Sequence, residues 1–216
     1  MMKLIIGNKN YSSWSLRPWI LMRVKDIAFQ EEYIPLYLPG SKDKIQAYSP
    51  AGKVPILIDH DFSVWDSLAI AEYLAERFPD KNLWPADLRA RAHARSISAE
   101  MHSGFMGLRK SMSMNVRASL PGRGQSEETL ADISRIVTIW EDCRKTFGKL
   151  GPFLFGEFTI ADAFYAPVAS RFKTYGIKLN SVCQEYVNTI HDLPAMREWV
   201  DASHSEKEVI ESFEVK

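Results

Sequence analysis

The sequence predicts an α/β unit of order β-α-β-α-β-β-α over residues 1–80, followed by an all-helical unit over residues 88–216. Three observations carry this reading. Short apolar runs alternate with helix-period segments only in the first third of the chain. Residues 79–87, PDKNLWPAD, set two prolines among polar residues and mark a linker. Beyond them every apolar pattern repeats with the period of a helix. A chain of 216 residues holds one or two domains and buries enough apolar surface to fold without disulfides.

Residues 3–6 form a short apolar run closed by Gly7 and Asn8, as expected of a buried strand. Leu16, Trp19, Ile20, Met22 and Val24 then fall mostly on one helical face, behind a polar NYSS stretch that can cap the helix start. Pro18 suits a first turn, where a missing N–H costs nothing. Residues 32–38 read as a second strand, and 42–48 as a short helix stopped by Ser49-Pro50. Residues 54–58 and 62–65 flank Asp59-His60-Asp61 as the arms of a hairpin. An amphipathic helix over 67–78 ends at Pro79.

In the helical unit, the pattern predicts one long helix over 88–119, bent near Gly104, Gly107 and the Met-rich SMSMN stretch. A loop over 120–126 precedes a second helix over 127–147, which the glycines of 148–156 break. Thr159-Ile160-Ala161-Asp162 reads as a structural capping box that opens a third helix. Two more helices follow near 182–190 and 195–202, with Pro194 at a helix start.

Lys plus Arg and Asp plus Glu number 27 each, so overall charge argues against binding nucleic acid. With 46% apolar and 25% charged residues, the chain has the composition of a folded globule. Cys143 and Cys183 are the two cysteines and share no CxxC spacing, which excludes a disulfide framework. The opening apolar run is too short for a secretory signal, and no stretch approaches the roughly 18 apolar residues of a membrane span. A cytoplasmic protein with no membrane partner is expected. His93 and His102 lack carboxylate or cysteine partners at ligand spacing, and neither a P-loop nor GxGxxG occurs, so no metal and no nucleotide is expected.

Three segments carry chemistry. A cis bond at Val54-Pro55 would turn the Val54 N–H and C=O away from the sheet ladder and offer them to an extended, peptide-like ligand. At Asp66-Ser67, where strand passes into helix, a hydroxyl and free N–H groups suit a carboxylate while Asp66 suits an ammonium. Their structural alternatives are an ordinary N-cap and a surface acid. The third segment, Tyr11 to Arg17, precedes the first helix, and Ser12 or Ser13 there can donate to an anion and depress the pKa of a bound thiol. Neither serine resembles a triad nucleophile, for no GxSxG surrounds it.

These three signals, in this order on such a unit followed by helices, resemble the cytosolic glutathione S-transferase superfamily over nearly the whole chain. SSWSLR is similar to the SSCSWR signature of the zeta class, which includes maleylacetoacetate isomerases. SPAGKVPIL and DSLAIAEYL are similar to NPxGxVPxL and (E/Q)SxAIxxYL, and FTIADAFYAP to the capping segment of the second domain. The resemblance implies a thioredoxin-like first domain and an electrophile site supplied by the helical one. It implies Ser12 as the thiolate-stabilising serine, with Ser13 as the fallback. Val54, before a cis Pro55, would pair with the cysteinyl backbone of glutathione. Asp66 and Ser67 would hold its γ-glutamyl end, and Lys42 or Lys53 its glycyl carboxylate. A symmetric homodimer is implied as well.

Trp14 stands where the zeta signature has cysteine, and Ser49 replaces the usual asparagine. No cysteine lies near the turn, which argues against glutathione-disulfide chemistry. Arg89, Arg91, Arg95, Arg109, Lys110, Arg117 and Arg123 face Glu100 alone between residues 88 and 123. A solvated helix face is the default explanation; the sharper one puts Arg109 and Lys110, with Trp14 and Met106, at the electrophile pocket, where they would favour an anionic co-substrate. Met101, Met106, Met112 and Met114 serve either such a pocket or the core. Arg17 is expected either to pair with an acid across the domain seam or to touch glutathione. The function expected is glutathione transfer to an electrophilic small molecule. The alternatives are a glutathione-dependent cis-trans isomerase of the maleylacetoacetate isomerase kind and a non-catalytic binding protein.

Overall fold

The computed structural model describes residues 1–215; Lys216, the last residue of the expected helical unit, lies outside the described residues. Strands β1 (Met2–Ile6), β2 (Phe29–Tyr33), β3 (Ile56–Asp59) and β4 (Phe62–Trp65) form one sheet in the order β2-β1-β3-β4. β1 and β2 run parallel, with Leu4 opposite Glu31. β3 runs antiparallel to β1, with Leu57 opposite Leu4, and β4 closes the expected hairpin with Val64 opposite Leu57. Helices α1 (Ser13–Val24), α2 (Ser41–Gln46) and α3 (Ser67–Arg77) complete a thioredoxin-like unit.

Two details differ from the sequence reading. β2 lies upstream of the expected 32–38 because β1 sets its register: the Ile34 N–H reaches the Ile6 carbonyl at 2.9 Å, Pro35 has no N–H to continue the ladder, and the Leu36 N–H goes to Asn8 Oδ1 at 2.8 Å. The charged FQEEY sequence suits this place, since β2 is an edge strand. Pro18 lies inside α1 rather than in its first turn, because the helix starts at Ser13.

The rest of the described chain is mostly helical: α4 (Leu88–Ser103), α5 (Met106–Ser111), α6 (Glu127–Thr146), α7 (Ile160–Thr174), α8 (Ser181–Asp192) and α9 (Pro194–Ser205). The single helix expected over 88–119 is not formed. Phe105 adopts a left-handed conformation between α4 and α5, and Met112 ends α5 because its carbonyl, with those that follow, finds tertiary partners. The Met112, Ser113 and Asn115 carbonyls accept from Arg171 Nε, the Tyr175 hydroxyl and the Thr174 hydroxyl at 2.7, 2.9 and 2.9 Å. Gly107 lets α5 approach α6, for a Cβ there would stand 2.8 Å from the Glu128 backbone.

One core runs through both halves, from Leu4, Ile6 and Trp19 to Trp140, Phe164, Tyr165 and Trp199. Its hub is α7, which is buried along nearly its whole length and packs against both α1 and α4. Alternation along β1 sends Ile5 to the other face, into a small cluster with Ile34, Ile45 and Ile56. The capping box at α7 is formed: Asp162 accepts the Thr159 N–H at 2.8 Å and the Thr159 hydroxyl at 3.1 Å. Met101, Met112 and Met114 belong to the core, whereas Met106 is exposed. Trp65 is exposed on β4.

Candidate active site

The start of α1 follows from one polar turn. Ser12 is its N-cap: Oγ accepts the Ser15 N–H at 3.3 Å and donates to Ser15 Oγ at 2.8 Å. Ser15 Oγ in turn accepts the Gly7 N–H at 3.1 Å, which ties the helix start to the end of β1. Ser13, next along, turns toward α7, where its Oγ accepts from Arg171 Nη2 at 3.4 Å. Both serines are buried.

α3 starts at Asp66, which takes the cap that a first reading would give Ser67. Its Oδ1 accepts the Leu68 N–H at 2.8 Å, and its backbone sits at φ +73, ψ 134, a conformation unfavourable for a side-chain-bearing residue. Asp66 Oδ2 lies 3.3 Å from His102 Nε2, contributed by the last turn of α4. Ser67 is buried, and its Oγ accepts from Arg17 Nη1 at 3.3 Å. Val54 is half-buried and precedes a cis bond to Pro55, outside the ladder that begins at Ile56. Lys42, in the first turn of α2, and Lys53, beside Val54, are exposed.

Arg17 pairs with no acid among the described residues, contrary to one of the two roles expected for it. Its guanidinium carbon lies 4.2 Å from the Trp14 ring centre and 4.6 Å from that of Phe164 on α7. Its Nε is buried without a partner among the described residues. Arg109 joins it from α5, 4.7 Å from the same Trp14 ring, with its donors on the Gly104 and Met101 carbonyls. Arg171 completes the group, tied to the Met112 and Pro167 carbonyls at 2.7 and 3.2 Å.

Burial, with repulsion from Arg109 and Arg171 added, pushes the Arg17 guanidinium well below the ordinary arginine range. The same two causes, burial and then Arg109, bring Arg171 down to about 9, and burial lowers Arg109. No ion pair to any of the three occurs among the described residues. Three mutually repelling cations thus lie together at the domain seam with no ion-pair partner among the described residues. Arg171 was not among the residues singled out from the sequence. Its signal was nonetheless present: an arginine inside APVASRF, an otherwise apolar helical stretch, must be buried.

Of the other candidates, Trp14 and Arg109 meet in this cluster, while Met106 and Lys110 are exposed on α5. Surface cavities of about 320 and 440 Å³ flank β2 and contain none of the residues singled out above. Burial raises the Cys143 thiol to about 12 and the Cys183 thiol to about 11, which makes both poor nucleophiles. Among the described residues no group of three or more His, Cys, Asp or Glu could hold a metal, and no helix is long and apolar enough to cross a membrane.

Residues 11–77 match the family model for the glutathione S-transferase N-terminal domain, and residues 123–202 match that for its C-terminal domain. The chain belongs to the glutathione S-transferase superfamily. Among its relatives is a probable maleylacetoacetate isomerase of Caenorhabditis elegans, 38% identical over 97 residues, or 45% of each chain. Glutathione S-transferase Z2 of Arabidopsis thaliana is 28% identical over 209 residues, 88% of each chain. A dichloromethane dehalogenase of Methylophilus leisingeri is 36% identical over 84 residues, 38% of this chain and 30% of that one. The match thus spans less than half the length of the C. elegans and Methylophilus proteins. A glutathione transferase homolog from Burkholderia gl BGR1, solved with bound glutathione, shares the fold at TM-score 0.72 and 24% identity, covering 95% of this chain and 99% of that one. The SSWSLR turn and the first of these relatives both place the chain near the zeta-like members of the superfamily.

Proposed function

We propose that this glutathione S-transferase relative binds glutathione along the starts of α1 and α3 and the Val54-Pro55 edge, and transfers its thiolate to an electrophilic carbon of a small anionic molecule, acting as a symmetric homodimer. The observation that carries this reading is the pair of buried guanidiniums, Arg17 and Arg171. Each donates to a hydroxyl at the start of a helix, and neither has an acid partner among the described residues. Buried unpaired cations are costly and supply strong, oriented donors to an arriving carboxylate.

In this reading the γ-glutamyl carboxylate lies at Ser67, with Arg17 behind it, and the ammonium at Asp66. The Val54 backbone pairs with the cysteinyl residue, and Lys42 or Lys53 balances the glycyl carboxylate. Ser12 donates to the sulfur. Its hydroxyl hydrogen swings from Ser15 Oγ by rotation about one bond, while the Ser15 N–H it accepts and the start of α1 polarise it. Hydrogen bonding to the charged form lowers a thiol pKa and raises the thiolate fraction near neutrality. Ser13 is second choice because its Oγ faces Arg171, on the side where the anionic electrophile would rest.

The same arginines favour a second reading, a cis-trans isomerase in which the thiolate adds to a conjugated diacid or keto acid and departs after bond rotation. The C. elegans relative adds to it. Incubating the purified protein with glutathione and a panel of unsaturated and halogenated acids separates the two. A thioether conjugate supports transfer, and an isomerised acid with glutathione regenerated supports isomerisation. Glutathione binding without either product would leave a binding protein.

A further inference from the structure

We propose that His102 is a positioning residue for Asp66: its Nε2 holds the outer carboxylate oxygen where it receives the α-ammonium group of glutathione, and protonation of the ring weakens the carboxylate's grip on that ammonium. The proposal rests on the reading above that Asp66 takes the ammonium end.

Asp66 has divided its oxygens. Oδ1 is committed to the Leu68 N–H at 2.8 Å, and Oδ2 has His102 Nε2 at 3.3 Å. The imidazole is fixed on its other sides, edge-on to the Trp14 ring at 5.3 Å and 6.3 Å from the Phe164 ring. A carboxylate accepts and does not donate, so Nε2 carries the hydrogen of the neutral ring and Nδ1 is left bare. Nδ1 is buried and has no partner among the described residues.

The charged groups facing the ring are Asp66 at the start of α3, Arg17 from α1 and Arg109 from α5; α7 contributes the uncharged Phe164. Burial acts most strongly and, with the two guanidiniums, opposes protonation, while Asp66 favours it; the outcome lies below the ordinary imidazole value of 6.5. The ring is therefore neutral near pH 7, and Asp66 presents its full charge to the ammonium. In acid a second proton enters at Nδ1. The imidazolium then neutralises Asp66 and sets a like charge beside the ammonium.

Calorimetric titration of glutathione into the wild type, His102→Gln and His102→Phe, at about pH 7 and about pH 5, tests this. Glutathione keeps the same charge across that range. The wild type should bind about three- to five-fold more weakly at the lower pH. His102→Gln, whose amide still donates to the carboxylate, should keep the neutral-pH affinity and lose the pH dependence. His102→Phe should be about three-fold weaker at both. Glutaryl-cysteinylglycine, which lacks the amino group, should bind the wild type with no such dependence. Equal pH dependence in the wild type and His102→Gln, or a phenylalanine variant with wild-type affinity, overturns the role of His102 alone. No uptake of glutathione by the folded wild type at either pH overturns the glutathione reading with it.

Discussion

Arg17 Nη1 and Ser67 Oγ meet at 3.3 Å across 50 positions of sequence, joining the first helix to the start of the third. The hydroxyl oxygen accepts from the guanidinium, so its own hydrogen stays available for a carboxylate. The buried cation behind it, with no ion-pair partner among the described residues, is held by the faces of Trp14 and Phe164 instead.

Arg17→Met follows directly. It removes a buried unpaired cation while keeping most of the volume, so thermal stability without ligand should equal or exceed that of the wild type. Affinity for glutathione should fall about tenfold or more, the usual cost of a charge-assisted hydrogen bond. Calorimetry and thermal melting on the same samples check both. A less stable protein with unchanged affinity would make Arg17 a packing residue.

Arg109 and Lys110 are neighbours with opposite surroundings. Arg109 lies against Trp14 and next to Arg17, whereas Lys110 is exposed. Arg109→Gln should raise KM for an anionic electrophile about five-fold or more and leave KM for an uncharged one near its starting value. Lys110→Gln should change neither. Steady-state kinetics with one charged and one neutral electrophile decides it, and equal losses for both electrophiles would count against an anion site.

Asp162 carries a stability prediction. Besides Thr159, its carboxylate accepts the Leu154 N–H at 3.0 Å and the Tyr186 hydroxyl at 3.1 Å. Asp162→Ala should destabilise by about 3 kcal/mol or more, since it strands several buried donors. Burial raises its carboxyl to about 6 against 3.8 in an unfolded chain, with the four hydrogen bonds pulling the other way. Between those values the folded state binds more protons than the unfolded one, so this group's contribution grows as pH falls from above 6 toward 3.8. In urea unfolding, the deficit of Asp162→Asn relative to the wild type should accordingly widen toward acid. A constant deficit would contradict the shift.

The parts of the site legible in the sequence are those built from neighbours in the chain. The Ser12 turn and the Asp66 cap each rest on contacts within a few residues, whereas the cis bond before Pro55 is implied only by the resemblance of SPAGKVPIL to NPxGxVPxL. β2 is not legible because an edge strand tolerates the polar FQEEY pattern, which carries no apolar alternation. The helix expected to Ser119 stopped early because Arg171, Tyr175 and Thr174 claim its carbonyls from α7 and the residue after it, a choice no local propensity encodes. Arg171 itself reaches Ser13 across 158 positions. Only the apolar character of its own helix hints that it is buried.

Titration of the bound thiol, followed by thiolate ultraviolet absorbance in the glutathione complexes of wild type and Ser12→Ala, tests the central claim most directly. The wild-type complex should ionise at lower pH than free glutathione, and the alanine variant should return toward the free value while still binding the tripeptide. A bound thiol that titrates as it does free in solution, or a shift that survives the loss of the Ser12 hydroxyl, would contradict the account.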